Sequence, residues 1–234
     1  SLTAYASILG INWASGAYLP LNARLPAGYL ATLVSHAELD GLIVDSTGMA
    51  LLDEIALKGL PVLAPFVNDP SVNSISVEGA SRFSSLPQMH SPAPQHEDDI
   101  AYQMFTSGTT GTPKGVAVSI ANLQHLLDFC QERYRFTPED RVSQAHELTF
   151  DLSILDIFTT FLSGASLHVV PDRQMTFPAH FIRAQKLSIC IAVPSVAGML
   201  SQLQMLKPNL FPALRWSLFC GEALSESTVL ALKQ

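Results

Sequence analysis

Residues 102–115 read YQMFTSGTTGTPKG, in which Gly108, Gly111 and Gly115 are spaced among five Ser or Thr hydroxyls and one lysine. Glycine adopts positive φ without steric cost, so backbone N–H groups in such a loop can converge on an anion. The hydroxyls of Thr106, Ser107, Thr109, Thr110 and Thr112 add donors, and Lys114 adds a mobile point charge suited to phosphate. The stretch is not a Walker A loop, which needs G-x4-G-K-[ST]. The fifth residue after Gly108 is Pro113, and Lys114 is followed by Gly115. Residues 100–105 and 116–119 are strand-like, so the loop is expected at the tip between two strands, not at a strand-to-helix turn.

Outward from the loop, short apolar strands alternate with helical segments. Toward the N-terminus, residues 4–9 are helical in composition and residues 16–21 strand-like. A helix is expected to open at Pro26 and carry Leu30, Leu33 and Val34 at helical spacing. A buried strand follows at 41–45, a helix at 49–58 closed by Gly59, and a strand at 61–65. Residues 68–99 are Ser- and Pro-rich with an acidic Glu97-Asp98-Asp99 run, and read as a surface connection.

Beyond the loop, a helix is expected with Leu123, Leu126, Leu127 and Cys130 on one face, then a turn at 137–140 and a strand at 141–145. Next come a helix at 150–162 with Asp151 in its first turn and Gly164 at its end, a strand at 167–170 and a helix at 178–186. The pattern closes with a strand at 187–193, a helix at 195–206, a strand at 216–219 and a helix beginning near Ser225. This alternation predicts an α/β protein with layered sheets and flanking helices. Three segments are expected: an α/β subdomain at 1–67, a surface linker at 68–99, and at 100–234 a subdomain holding the phosphate loop and a pocket. Both outer subdomains look incomplete at the chain ends.

The composition excludes several classes of function. Apolar residues make up 48% of the 234 residues, and the mean hydropathy of +0.27 suits a parallel sheet buried on both faces. The most apolar region, residues 187–200, is interrupted by Pro194 and carries Ser188 and Ser195, so no membrane span is expected. A net charge of −7 argues against nucleic-acid binding, which needs clustered Lys and Arg. Cys130, Cys190 and Cys220 are odd in number and far apart, which fits neither a disulfide framework nor a zinc site and points to a cytoplasmic setting.

The ordered string at 102–115 resembles the signature loop of the adenylate-forming (AMP-binding) superfamily, which includes acyl-CoA synthetases, luciferases and the adenylation domains of non-ribosomal peptide synthetases. The resemblance extends along the chain. Residues 16–21, GAYLPL, resemble the family's G-A-Y-x-P-L/I-D segment, with Asn22 where Asp is usual. Residues 150–153, FDLS, resemble the F-D-x-S motif of amino-acid-activating members, and residues 219–224, FCGEAL, resemble a G-E stretch. The chain thus looks like part of the large N-terminal domain of an adenylate-forming enzyme.

The resemblance implies that Thr106, Ser107, Gly108, Thr109, Thr110, Gly111 and Lys114 hold the β and γ phosphates of ATP. It places the backbone of Gly221, Glu222 and Ala223 against adenine. It also implies that Asp151 pairs with the α-ammonium of an amino acid, in a pocket lined by Leu152, Leu155, Ala192, Leu218 and Cys220. A buried ammonium needs such a partner, whereas a plain fatty acid does not. Alone, Asp151 would read as a helix N-cap.

The lining offers no second charge and no strong hydrogen-bonding group, so a small or apolar amino acid is expected. The FDLSILDIF and LFCGE strings look closest to D-alanine–carrier protein ligases, and stand-alone ligases loading proline share much of the pattern; both remain open. Cys220 is expected to contribute shape alone.

The implied reaction is ATP- and Mg²⁺-dependent formation of an aminoacyl-AMP, followed by transfer to the phosphopantetheine thiol of an acyl or peptidyl carrier protein. The family's Y-G-P-T-E segment with its Mg²⁺-binding Glu, its T-G-D aspartate and its C-terminal lysine have no counterpart in this chain. No catalytic residue or metal ligand is therefore expected here, and the chain is expected to need the remainder of the enzyme to complete adenylation. An acyl-CoA synthetase for a non-amino carboxylate and a non-catalytic remnant are the competing readings. His36, His125, His146 and His168 are expected to be structural or surface residues, since no His–carboxylate spacing is evident, with His146 close enough to the Asp151 helix to edge the site.

Overall fold

A computed structural model describes residues 1–55, 59–64, 91–106, 113–203, 206 and 209–232. The chain divides into two compact units, Ser1–Leu123 and Gln124–Gln234, and is a mixed α/β structure in which sheets are flanked by helices.

The first unit opens with helix α1 (Leu2–Trp13), where the Ser1 hydroxyl accepts from Ala4 N. At its far end Asn12 Nδ2 donates to the carbonyls of Gly16 and Ala101, at 2.9 and 2.8 Å. The strand expected at 16–21 is reduced to a single parallel bridge between Tyr18 and Tyr102. Pro20 explains the difference, because it lacks the N–H that a longer ladder would need. Helix α2 (Ala27–His36) follows Pro26 and buries Leu30, Leu33 and Val34, the three residues read from helical spacing.

Strand β1 (Leu42–Ile43) pairs in parallel with β2 (Val62–Leu63). Between them the helix expected at 49–58 is instead α3 (Ser46–Met49), followed by turns through Ile55; residues 56–58 lie outside the described residues. Asp45 accounts for the early start, since its carboxylate accepts from the N–H groups of Thr47 and Gly48, both at 3.0 Å. The turns then send Leu52 to a cluster with Val44 and Val62, and Ile55 to another with Leu30 and Val34. In a regular helix residues three apart would share one face. Strands β3 (Ile100–Thr106) and β4 (Lys114–Ser119) form the expected antiparallel pair, with Thr106 opposite Lys114.

Helix α4 (Ile120–Tyr134) buries Leu123, Leu127 and Cys130, while Leu126, expected on the same face, is 37% exposed. The second unit is built on four parallel strands: β5 (Arg141–Gln144), β6 (Ser166–Val169), β7 (Ile189–Ala192) and β8 (Trp216–Phe219), in the order β6-β5-β7-β8. The apolar run of β7 leaves Ile189 and Ile191 almost wholly buried, as a central parallel strand requires. They join Phe136, Val142 and Ala165 in the core, with Leu155, Trp216 and Leu218 packed against it.

At the amino-terminal edge of this sheet, buried Asp140 accepts from Arg215, from Ser188 Oγ at 2.6 Å and from Thr137 N at 2.8 Å. Burial alone would push the Asp140 carboxyl up, but the hydrogen bonds from Arg215, Ser188 and Thr137 outweigh it and hold it at about 2. Among the further helices of this unit are α7 (Ala179–Ala184), α8 (Pro194–Gln202) and α9 (Glu226–Leu232).

The helix expected at 150–162 is interrupted. It runs as α5 (Leu152–Ile154), a π-helical turn over Leu155–Thr159, and α6 (Thr160–Leu162). Widening the turn displaces carbonyls from their usual partners. The hydroxyls of Thr159 and Thr160 donate to the carbonyls of Leu155 and Asp156. Gly164, at φ +70°, ends the segment as expected.

Candidate active site

The order β6-β5-β7-β8 contains a reversal: from β5 the chain moves to β6 on one side, then returns to β7 on the other. Loops leaving the carboxyl ends of β5 and β7 therefore diverge, and it is at such a reversal that parallel sheets characteristically bind ligands. Three segments of this unit reach that edge: residues 145–151 after β5, 193–195 after β7 and 220–223 after β8.

Asp151 stands at the N-cap position of α5, exposed and in αR geometry, and its side chain makes no capping hydrogen bond. Leu152 and Ala192 are buried. Leu155 and Leu218 are half-buried and pack against the same core cluster. Cys220 is exposed just beyond β8, and its N–H reaches the Ala192 carbonyl at 3.4 Å. Among these predicted pocket residues, Ala192 lies on β7 beside Leu218 and Phe219 of β8, where the register pairs Ile191 with Leu218 and Ala192 with Phe219. Asp151 and Leu152 differ in burial, because successive residues at a helix start point to different sides.

Gly221, Glu222 and Ala223 form an exposed loop after β8. Gly221 sits at φ +89°, a conformation that favours glycine. The Glu222 carboxylate accepts from Ser195 N at 2.9 Å and Ser195 Oγ at 3.2 Å, which ties the loop to the first turn of α8. Gly221→Ala is expected to cost about 1–2 kcal/mol from the left-handed backbone alone, since a Cβ there meets Val193 Cγ1 at an ordinary 3.7 Å. A chemical denaturation midpoint checks this; an unchanged midpoint refutes it.

In the first unit, the β3–β4 register holds the two ends of the glycine-rich loop together, and Thr106 Oγ1 donates to the Lys114 carbonyl at 3.5 Å. Thr106 and Lys114 are both exposed. The predicted phosphate-binding residues Ser107, Gly108, Thr109, Thr110 and Gly111 lie outside the described residues.

The sequence offers no helical or strand spacing that links His146 to a carboxylate, yet the structure joins it to Asp156. His146 Nδ1 lies 2.8 Å from Asp156 Oδ2, with the carboxylate side chain fully buried and the imidazole 8% exposed. The sequence reads His146 as a structural or surface residue and does not foresee its carboxylate partner: the contact spans ten residues across the turn between β5 and the π segment. The one available signal was a lone acid inside the apolar run ILDIF. Burial pushes the Asp156 carboxyl up to about 6, against the pull of His146 and of the backbone N–H groups of Ala145 and His146.

Among the described residues no group of three or more His, Cys, Asp or Glu side chains could hold a metal ion. No described helix is long and apolar enough to cross a membrane.

A family model described as AMP-binding enzyme matches residues 1–234. An L-proline--[L-prolyl-carrier protein] ligase of Streptomyces coelicolor is 31% identical over 232 residues, covering 93% of this chain and 42% of that protein. Syringomycin synthase SyrB1 of Pseudomonas syringae is 29% identical, covering 98% of this chain and 35% of that protein. Among solved structures, the Vibrio cholerae adenylation domain AlmE in complex with glycyl-adenosine-5'-phosphate matches with a TM-score of 0.87 and 31% identity, over all of this chain and 46% of that one. The chain spans less than half the length of these relatives.

Proposed function

Because the chain belongs to the AMP-binding enzyme family along its whole length, we propose that its protein activates a small or apolar amino acid with ATP, as an aminoacyl-AMP for transfer to a carrier-protein thiol. What supports this reading is Asp151, an exposed carboxylate without a capping bond, at the sheet edge where Ala192 and Cys220 end β7 and follow β8; Leu152, Leu155 and Leu218 would complete an apolar lining. An ammonium group entering such a lining loses water, and Asp151 offsets that loss. A polar substrate side chain would find no partner there. The proline ligase and glycyl-adenylate relatives support a small substrate, and both alanine-like and proline-like amino acids suit the lining.

The reaction begins with attack of the substrate carboxylate on the α-phosphorus of ATP, releasing pyrophosphate. The protein's part is alignment and charge neutralisation. Thr106 and Lys114 and the loop between them would grip the β and γ phosphates, the backbone of Gly221, Glu222 and Ala223 would lie against adenine, and Asp151 would fix the amine. The free thiols of Cys130, Cys190 and Cys220 suit a reducing cytoplasm.

The test is ATP–pyrophosphate exchange by the intact enzyme across amino acids and fatty acids. Exchange is expected with alanine, proline or glycine and not with charged amino acids. Exchange supported by fatty acids alone would assign the protein to the acyl-CoA synthetases, and none with any acid would make it a non-catalytic relative.

A further inference from the structure

The His146–Asp156 pair has no part in the chemistry described above, yet it brackets the segment that carries Asp151. We propose that this pair braces the Phe150–Asp151 corner, making His146 and Asp156 positioning residues for the substrate's ammonium group. The inference rests on the amino-acid reading of the site.

Asp156 lies in the π turn with no exposed surface, and its Oδ1 makes no hydrogen bond. An isolated carboxylate at such a depth costs several kcal/mol and must be paired or protonated. His146 supplies the partner at Oδ2. Because an ionised carboxylate only accepts, it holds the imidazole proton on Nδ1 and thereby sets the ring's orientation. The same ring stacks on Phe150, with centroids 6.5 Å apart and planes 22° from parallel. Asp151 follows directly and has no capping bond of its own to hold it.

The rest of the corner is tied at its base. Gln144 Nε2 donates to the His146 carbonyl, Phe150 N to the Glu147 carbonyl at 2.9 Å, and Ser153 Oγ to the Leu148 carbonyl at 3.2 Å. The ring that touches Phe150 is thus oriented by a carboxylate on the far side of Asp151.

The surroundings keep the pair electrostatically simple. From β7 the Cys190 thiol faces the carboxylate, but burial pushes it up to about 11 and keeps it neutral at pH 7. From β5, Ser143 and Gln144 carry no charge, and on the pair's own loop Glu147 is exposed.

The experiment measures exchange kinetics on the intact enzyme. His146→Gln is expected to raise KM for the amino acid about tenfold while kcat and KM for ATP stay within about threefold. Asp156→Asn keeps a hydrogen bond to the ring but removes the charge. The wild type is expected to lose amino-acid kcat/KM as pH drops through about 6, and this variant to show no such fall. The double variant His146→Leu with Asp156→Leu removes the acid together with its partner and so leaves no buried charge unpaired. It guards against simple misfolding, and the same rise in amino-acid KM is expected. A wild-type KM in the double variant, or losses in kcat and KM for ATP equal to those for the amino acid, overturns the brace. Absence of exchange with every amino acid in the wild type removes the amino-acid reading and the brace with it. Exchange with an unmoved KM removes the brace alone.

Discussion

Asp151→Ala is expected to lower amino-acid-dependent exchange by about a hundredfold or more in kcat/KM, with nucleotide binding intact. The magnitude follows from removing one partner of a desolvated charge pair, which costs about 2–5 kcal/mol, each 1.4 kcal/mol being tenfold. The fold should barely notice, because the Asp151 side chain caps nothing in α5. Asp151→Asn preserves size and removes only charge, so it should lose nearly as much activity. Normal activation of alanine or proline by either variant would end the assignment. A matching loss of thermal stability would return Asp151 to the role of a helix cap.

Asp140→Ala is expected to be the most destabilising substitution at the opposite edge of the sheet, at about 3 kcal/mol in a denaturant titration. It strands the hydrogen-bond donors of Thr137 and Ser188 and releases Arg215. Part of this is electrostatic and depends on pH. The carboxyl is held at about 2 in the folded protein against an ordinary 3.8. The stabilisation is therefore complete above 3.8 and is lost as pH falls toward 2. Its size is about 1–2 kcal/mol once the solvation of Arg215 is allowed for. Asp140→Asn should lose that slope between pH 4 and 2, and an acid-unfolding profile parallel to wild type would refute it.

What could be read in advance was what local chemistry specifies. The apolar run at 187–193 announces a strand, and the glycine-rich string at 102–115 announces the connection between two strands. Gly164 and the apolar spacing of α2 were equally legible. What escaped depends on single polar groups or on distant partners. One Asp45 carboxylate moves a helix start, and one proline removes a strand. The π turn follows from hydroxyl-to-carbonyl bonds of Thr159 and Thr160 that no hydropathy period records. Asp140 meets Ser188 and Arg215 across separations of 48 and 75 residues. His146 and Asp156 meet across ten, a spacing native to neither helix nor strand.

The Asp140 knot lies at the amino end of the four-stranded sheet, and the substrate-facing loops leave from the carboxyl end. Tolerance to change is consequently polarised along the strands. The segments after β5, β7 and β8 are expected to tolerate exchange with those of another family member, provided that Asp140, Ser188 and Arg215 are kept together. Specificity and robustness are in that sense inherited separately.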